Sequence, residues 1–340
     1  MEIDRTVQTL VVPVSHASDV GEVRRQATQL AGALGLEESD RGRVALVATE
    51  LGTNLVKHAG GSGRILVRGL RDEGSGVELV SIDAGPGFDV GASLRDGLST
   101  SGTLGVGLGA VQRTADTFDL WSAPSQGSVL VSRVLTRPPA AQPSGIQGSL
   151  GAICVPLAGE PVTGDRWATQ RAGGRLRIIV VDGLGHGTPA AVAARSAVQA
   201  FEAGARSPLK ELLESVHQAL RATRGAAVAI AELDGYGGQL RFAGLGNVSA
   251  TLIQEKRTGL ASVNGTAGAE ARAVKVYEYP LTPGALLVLH SDGIGTRWSL
   301  DGTSELRSRH PSLVCGLLYR DHARPRDDAT VLAVRYQGLS

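Results

Sequence analysis

Four acidic signals in the C-terminal part of the chain stand at the edges of strand-like runs. They are Asp165 in Thr163-Gly-Asp165, Asp182 in Asp182-Gly-Leu-Gly-His-Gly187, Asp292 in Ser291-Asp-Gly293, and the pair Asp327-Asp328 in Arg326-Asp-Asp-Ala-Thr330. Asp182 follows the apolar, β-branched run 177–181, Asp292 follows 285–290, and Asp327-Asp328 precedes 330–335. A carboxylate supplies a hard oxygen, and adjacent glycines let carbonyl and phosphate oxygens approach closely. The set predicts an oxygen-lined site for Mg²⁺ or Mn²⁺. Any one Asp-Gly pair, taken alone, is equally a turn signature.

A second constellation lies in the N-terminal part. Glu50 and Asn54 are four residues apart on an expected helix and share a face, with His58 one turn further. An Asn carbonyl is a hard ligand for Mg²⁺, and a nearby Glu can take a proton from an attacking hydroxyl or water. Asp83, in Asp83-Ala-Gly85-Pro-Gly87 after the run 77–82, can accept from an exocyclic amine such as that of adenine. Gly102 to Gly109 then opens a helix, with Gly105, Gly107 and Gly109 exposing N–H groups suited to phosphates. The glycines do not spell Gly-x-Gly-x-x-Gly, and no Gly-Lys dipeptide exists, which excludes a dinucleotide fold and a P-loop.

The elements that must position these groups follow from periodicity. A strand is expected at 6–13 and helices at 19–35 and 38–59, their buried stripes being Val23, Ala27, Leu30, Leu34 and Val44, Val47, Leu51, Leu55. Strands at 64–70, 77–82 and 128–135 and a helix near 107–116 complete the first part. The second part reads as strands at 151–156, 176–181, 226–232, 239–243, 249–254, 285–290 and 330–336, with helices at 188–203 and 208–222. Between them, the proline-rich stretch 137–147 reads as a linker, separating expected domains at 1–136 and 148–340. A length of 340 residues suits two domains. The net charge of +1 argues against a general nucleic-acid binder. Two cysteines, no membrane-length apolar run and no leader pattern at the N-terminus lead to the expectation of a soluble cytoplasmic protein.

Glu50-Leu-Gly-Thr-Asn54-Leu-Val-Lys-His58, Asp83-Ala-Gly-Pro-Gly87 and Gly102 to Gly109 resemble, in order, the N, G1 and G2 boxes of the GHKL ATPase/kinase superfamily. Within it, the boxes resemble those of the small serine kinases of the RsbT and RsbW kind. It covers most of residues 5–136 and implies a Bergerat fold, an α/β sandwich with helices on one face of a mixed sheet. By this match Asn54 would ligate Mg²⁺, Glu50 would be the base, Asp83 with Gly85 and Gly87 would bind adenine, and Gly105, Gly107 and Gly109 would lie in the phosphate lid.

The four acidic signals resemble the PPM family of metal-dependent phosphatases, in its SpoIIE and RsbX branch, over residues 148–336. That likeness implies an α/β/β/α sandwich, so the whole chain is expected to be α+β with two domains. It implies Asp182 as the bridging metal ligand, the Gly183 carbonyl on one ion, Asp292 and Asp327 on the other, and Asp165 bound directly or through water; Asp328 is the alternative to Asp327. His186 is placed to protonate a leaving alkoxide, or simply to make loop hydrogen bonds.

Together these readings predict a kinase and phosphatase in one chain, using ATP with Mg²⁺ or Mn²⁺. The expected substrate is Ser or Thr of a STAS-domain partner, an anti-anti-sigma factor or stressosome protein, in a bacterial partner-switching stress response. A sigma factor is a further candidate partner; nucleic acid and membrane are not. The alternative function is a phosphatase fused to an ATP-binding anti-sigma or nucleotide-sensor module.

Overall fold

The structure, a computed structural model, describes residue 4 and residues 6–71, 75–88, 90, 104–136, 146–269, 274–300, 306 and 308–339. The proline-rich stretch 137–145 and the glycine at 102 lie outside these. The chain divides into two compact units, Asp4–Ala140 and Ala141–Ser340.

The first unit is a five-stranded sheet with helices against one face. Its strands are β1 (Leu10–Val14), β2 (Gly63–Leu70), β3 (Gly76–Asp83), β4 (Thr117–Ser122) and β5 (Ser128–Leu135), in the order β1-β2-β3-β5-β4. All four pairings are antiparallel, where the family likeness implied a mixed sheet. The cause is local: β4 and β5 form a hairpin, and β5 returns antiparallel beside β3. Helices α1 (Ala17–Ala33) and α2 (Glu38–His58) bury the expected stripes except Leu34, which caps α1 and is only partly buried, with Val23, Val44, Val47 and Leu51 fully enclosed against Ile65, Val67 and Leu79 of the sheet. Helix α3 (Leu104–Thr114) adds Val111 to this core.

The first strand starts later than its composition suggests. Asp4 accepts from the Thr6 backbone N–H at 3.0 Å and from the Thr6 hydroxyl, and its carbonyl holds the Gln8 N–H, so residues 6–8 form a turn.

The second unit holds two five-stranded antiparallel sheets. One has the order β13-β10-β9-β8-β7, built from β7 (Asp165–Ala172), β8 (Arg175–Gly183), β9 (Ala226–Asp234), β10 (Gln239–Leu245) and β13 (Tyr277–Pro280). The other has the order β12-β11-β14-β15-β6, from β6 (Ile146–Val155), β11 (Ser249–Ile253), β12 (Arg257–Gly259), β14 (Leu286–His290) and β15 (Ala329–Leu339). Helix α4 (Gly187–Ala203) covers the first sheet with Ala190, Ala193, Ala194 and Ala197, small enough for close approach. Beside it, α5 (Leu209–Leu220) buries Leu212, Leu213 and Val216. Helix α6 (Pro311–His322) covers the second sheet. The result is the four-layered α/β/β/α arrangement. Among the described residues no helix is long and apolar enough to cross a membrane.

Candidate functional site

In the first unit the sheet and α2 enclose a cavity of about 160 Å³. Its walls are apolar (Leu51, Leu55, Leu108 and Leu130), and its polar groups are Asn54, His58, Ser81, Asp83 and Ser128. Asp83 ends β3, and the β3–β5 register sets Ser128 directly opposite it. The Ser128 hydroxyl donates to one Asp83 oxygen, and the Gly85 N–H donates to the other at 2.8 Å. The carboxylate is therefore buried and fixed at the rim of an apolar slot, an arrangement suited to a flat heterocycle with an exocyclic N–H.

Gly87 has φ +58°, and a Cβ there would collide with the Ala123 carbonyl, so only glycine fits this wall. Glu50 and Asn54 share a face of α2 and meet Gly107 of α3: a Cβ on Gly107 would stand 2.8 Å from Glu50 Oε2 and 3.5 Å from Asn54 Oδ1. Gly105 and Gly109 lie on the same helix. The Asn54 Nδ2 and His58 Nε2 are buried without a hydrogen-bond partner. Burial, together with neighbouring Lys57, pushes the His58 imidazole below its usual pKa. Two orphaned polar atoms on residues that line an apolar slot match a ligand with a flat apolar part and a polar part.

In the second unit the carboxylates gather where strands of both sheets end. Asp165 opens β7 and pairs in register with Asp182, near the end of β8. The Ser291 hydroxyl donates to Asp165 Oδ2 at 2.6 Å and its oxygen accepts the Thr330 N–H, tying the two sheets at this point. Burial first, then the charge of Asp182, holds the Asp165 carboxyl well above the usual range. Asp182 is pushed up to about 7 by burial, then by Asp292 and Asp327, although the Asp292 N–H bonds to it. Asp327 rises to about 6 through burial and a hydrogen bond with the Asp292 carboxylate.

The adjacent pair divides its duties. Asp328 is buried and accepts the Leu157 N–H at 2.7 Å on one oxygen and the Gly164 N–H at 2.8 Å on the other. Asp327 faces Asp292 instead, as alternation along extended backbone requires. Among the described residues no three His, Cys, Asp or Glu side chains close as a ready-made ligand set. The carboxylates are crowded enough to repel one another, yet each is also held by a neighbour. This donor set of hard oxygens, with net negative charge raised at one spot, fits a divalent cation of the Mg²⁺ or Mn²⁺ type.

His186 precedes α4 and sets its Nδ1 2.7 Å from Glu160 Oε1, so it is more than a free loop residue. Cys154 is buried, its thiol pushed up to about 12 by burial, and offers no nucleophile. Ser128 and Glu160 carried no motif in the sequence, Ser291 stood in Ser291-Asp-Gly293 without a role of its own, and Asn247 donates its Nδ2 to Asp292 Oδ2 at 2.8 Å. The glycine turn Gly244-Leu-Gly246 directly before Asn247 is a signal that can be read in the sequence.

Known proteins resemble the two halves separately. The family described as Histidine kinase-like ATPase domain matches residues 14–133, and that described as Stage II sporulation protein E (SpoIIE) matches residues 172–337. The serine/threonine-protein kinase RsbT of Bacillus subtilis (strain 168) is 35% identical over 112 residues, 32% of this chain and 84% of its own length. A solved chain from the bacterial stressosome, described as a modular system adapted to control secondary messenger signalling, is 26% identical. It covers 56% of this chain and 100% of its own, with a TM-score of 0.52. RsbX in complex with magnesium is 18% identical over 57% of this chain and 100% of its own, with a TM-score of 0.50, a likeness of fold.

Proposed function

Because the chain belongs to the RsbT family of serine/threonine-protein kinases through its first domain and carries a SpoIIE phosphatase domain in its second, we propose that it both adds and removes phosphate on one protein substrate. The observation that carries the reading is the crowding of Asp165, Asp182, Asp292 and Asp327, whose mutual repulsion either protons or bound cations would relieve.

In the first domain Asp83, fixed by Ser128 and Gly85, accepts the exocyclic amine of adenine, with Leu55 and Leu130 against the ring faces. Asn54 would hold Mg²⁺, and N–H groups near Gly105, Gly107 and Gly109 would meet the phosphates. Glu50 takes the proton as a substrate Ser or Thr oxygen bonds to the γ-phosphorus and the bond to the β-phosphate oxygen breaks.

In the second domain Asp182, Asp292, Asp327 and the Gly183 carbonyl would hold two divalent ions, Mg²⁺ or Mn²⁺, with Asp165 held in reserve by Ser291. Bound there, such ions supply an activated water and charge neutralisation for in-line attack on phosphorus. Asp328, both oxygens engaged by backbone, keeps the loops at 157 and 164 in place. His186, gripped at Nδ1 by Glu160, presents Nε2 to protonate the departing seryl oxygen.

The substrate is proposed to be a STAS-domain protein of a partner-switching stress pathway, on the strength of the RsbT and stressosome likenesses. Opposed activities in one chain would cycle phosphate unless partner binding favours one of them. Asp182→Asn protein, incubated with labelled ATP, Mg²⁺ and lysate of its own source, tests the reading. A small labelled band that wild-type protein with Mn²⁺ erases is the expected result. ATP binding without any label would reduce the first domain to a sensor or anti-sigma module.

A further inference from the structure

The turn at 221–225 carries a side chain for which the fold has no other use. Among the described residues, no hydrogen bond or ion pair engages the exposed Arg224. Its surroundings are nevertheless rigid. The Thr223 hydroxyl donates to the Leu220 carbonyl at 2.7 Å and accepts the Gly225 N–H at 3.0 Å. Gly225 has φ +84°, a conformation that favours glycine.

The turn is also fastened to the carboxylate end of the sheet. β9 starts one residue later, with Ala226 opposite Gly183 and Ala227 opposite Asp182. The Gly225 carbonyl accepts the Leu184 N–H at 3.1 Å. Arg224 thus reaches over the Asp182-Gly-Leu-Gly-His loop, its Nη1 3.2 Å from where a Cβ on Gly185 would stand.

A phosphate monoester is a dianion, and the nearby strand ends are lined with carboxylates. Cations held by those carboxylates would face one side of the phosphate, leaving its remaining oxygens to be met from the loop side. A planar guanidinium on a stiff turn suits that task, because it can give two parallel hydrogen bonds to phosphate oxygens. We propose that Arg224 holds the non-reacting oxygens of the substrate phosphate, so that it sets affinity for phosphoserine or phosphothreonine more than turnover. The proposal rests on the phosphatase reading of the second domain.

The test uses the full chain with Mn²⁺ and inorganic phosphate as the probe, by calorimetry and by competition against hydrolysis of p-nitrophenyl phosphate. In Arg224→Ala the phosphate dissociation and inhibition constants and KM should rise about tenfold or more, as for the loss of its charge-assisted hydrogen bonds to phosphate, with kcat changing far less. Arg224→Lys should recover part of the loss, and the Mn²⁺ dependence should stay that of wild type. Arg221→Ala, which removes the same charge from the same turn, should move these values by about twofold or less. Arg224→Ala with wild-type phosphate affinity beside an active wild type would overturn the role of Arg224 alone. A wild type that neither hydrolyses phosphate esters nor binds phosphate with either metal would overturn the phosphatase reading, and this role with it.

Discussion

The two candidate sites are built on opposite electrostatic plans. The first is an apolar slot with one carboxylate, Asp83, whose two oxygens already have donors. The second gathers carboxylates until their pKa values climb, Asp182 to about 7 and Asp327 to about 6. A slot of the first kind has its one carboxylate fixed before a ligand arrives and selects by shape, leaving the Asn54 and His58 nitrogens to be met. A cluster of the second kind is under repulsion unless protons or cations neutralise it, so its stability should depend on pH and on divalent ions.

Crossed substitutions separate the two plans most sharply. Asp182→Asn should cut phosphate-ester hydrolysis roughly 10³-fold or more, the scale of losing a principal catalytic group, and leave ATP affinity unchanged. Glu50→Gln should do the reverse, lowering phosphoryl transfer roughly 10²–10⁴-fold while hydrolysis and ATP binding persist. Steady-state hydrolysis and a labelled-transfer assay on both proteins check this, and loss of both activities in either variant would show that the sites are not independent.

Smaller changes probe how each plan is held in place. Asn247→Ala frees the Asp292 carboxylate from its 2.8 Å partner, so the Mn²⁺ concentration for half-maximal hydrolysis should rise about tenfold or more. Gly87→Ala forces a side chain at φ +58° against the Ala123 carbonyl. It should cost about 1–3 kcal/mol, read in denaturant unfolding, and weaken ATP without touching hydrolysis.

The effect of pH is subtler but has a definite sign. Raised carboxyl pKa values mean that the folded protein binds protons more tightly than the unfolded chain, whose carboxylates titrate near 3.8. The stability these groups lend is present below that value and is lost as pH rises toward about 7. Without metal, the second domain should melt lower at about pH 8 than at about pH 5, and excess Mg²⁺ or Mn²⁺ should raise the pH 8 transition most. Scanning calorimetry checks this, and a metal-free melting temperature independent of pH would count against the repulsion.

The parts legible in the sequence were those that repeat along one segment. The stripe Val44, Val47, Leu51, Leu55 found α2, and with it the shared face of Glu50 and Asn54. The run 177–181 found β8, and so placed Asp182 at a strand end. What escaped depends on pairing or on total burial. Helix α6 is buried all round from Pro311 to Tyr319 and shows no amphipathic period. The strand β7, Asp-Arg-Trp-Ala-Thr-Gln-Arg-Ala, is mostly polar and sits at a sheet edge. Ser128 meets Asp83, 45 residues away, only through the β3–β5 register. Likewise Ser291 meets Asp165 across two sheets, a contact that no local pattern announces.

The central claim is that these two sites act in opposite directions on one phosphate. Intact-mass measurement of phosphate occupancy on a purified STAS-domain partner, with ATP and Mn²⁺, tests it in a single readout. The account predicts occupancy highest with Asp182→Asn, intermediate with wild type and near zero with Glu50→Gln. Equal occupancy with all three proteins would contradict it.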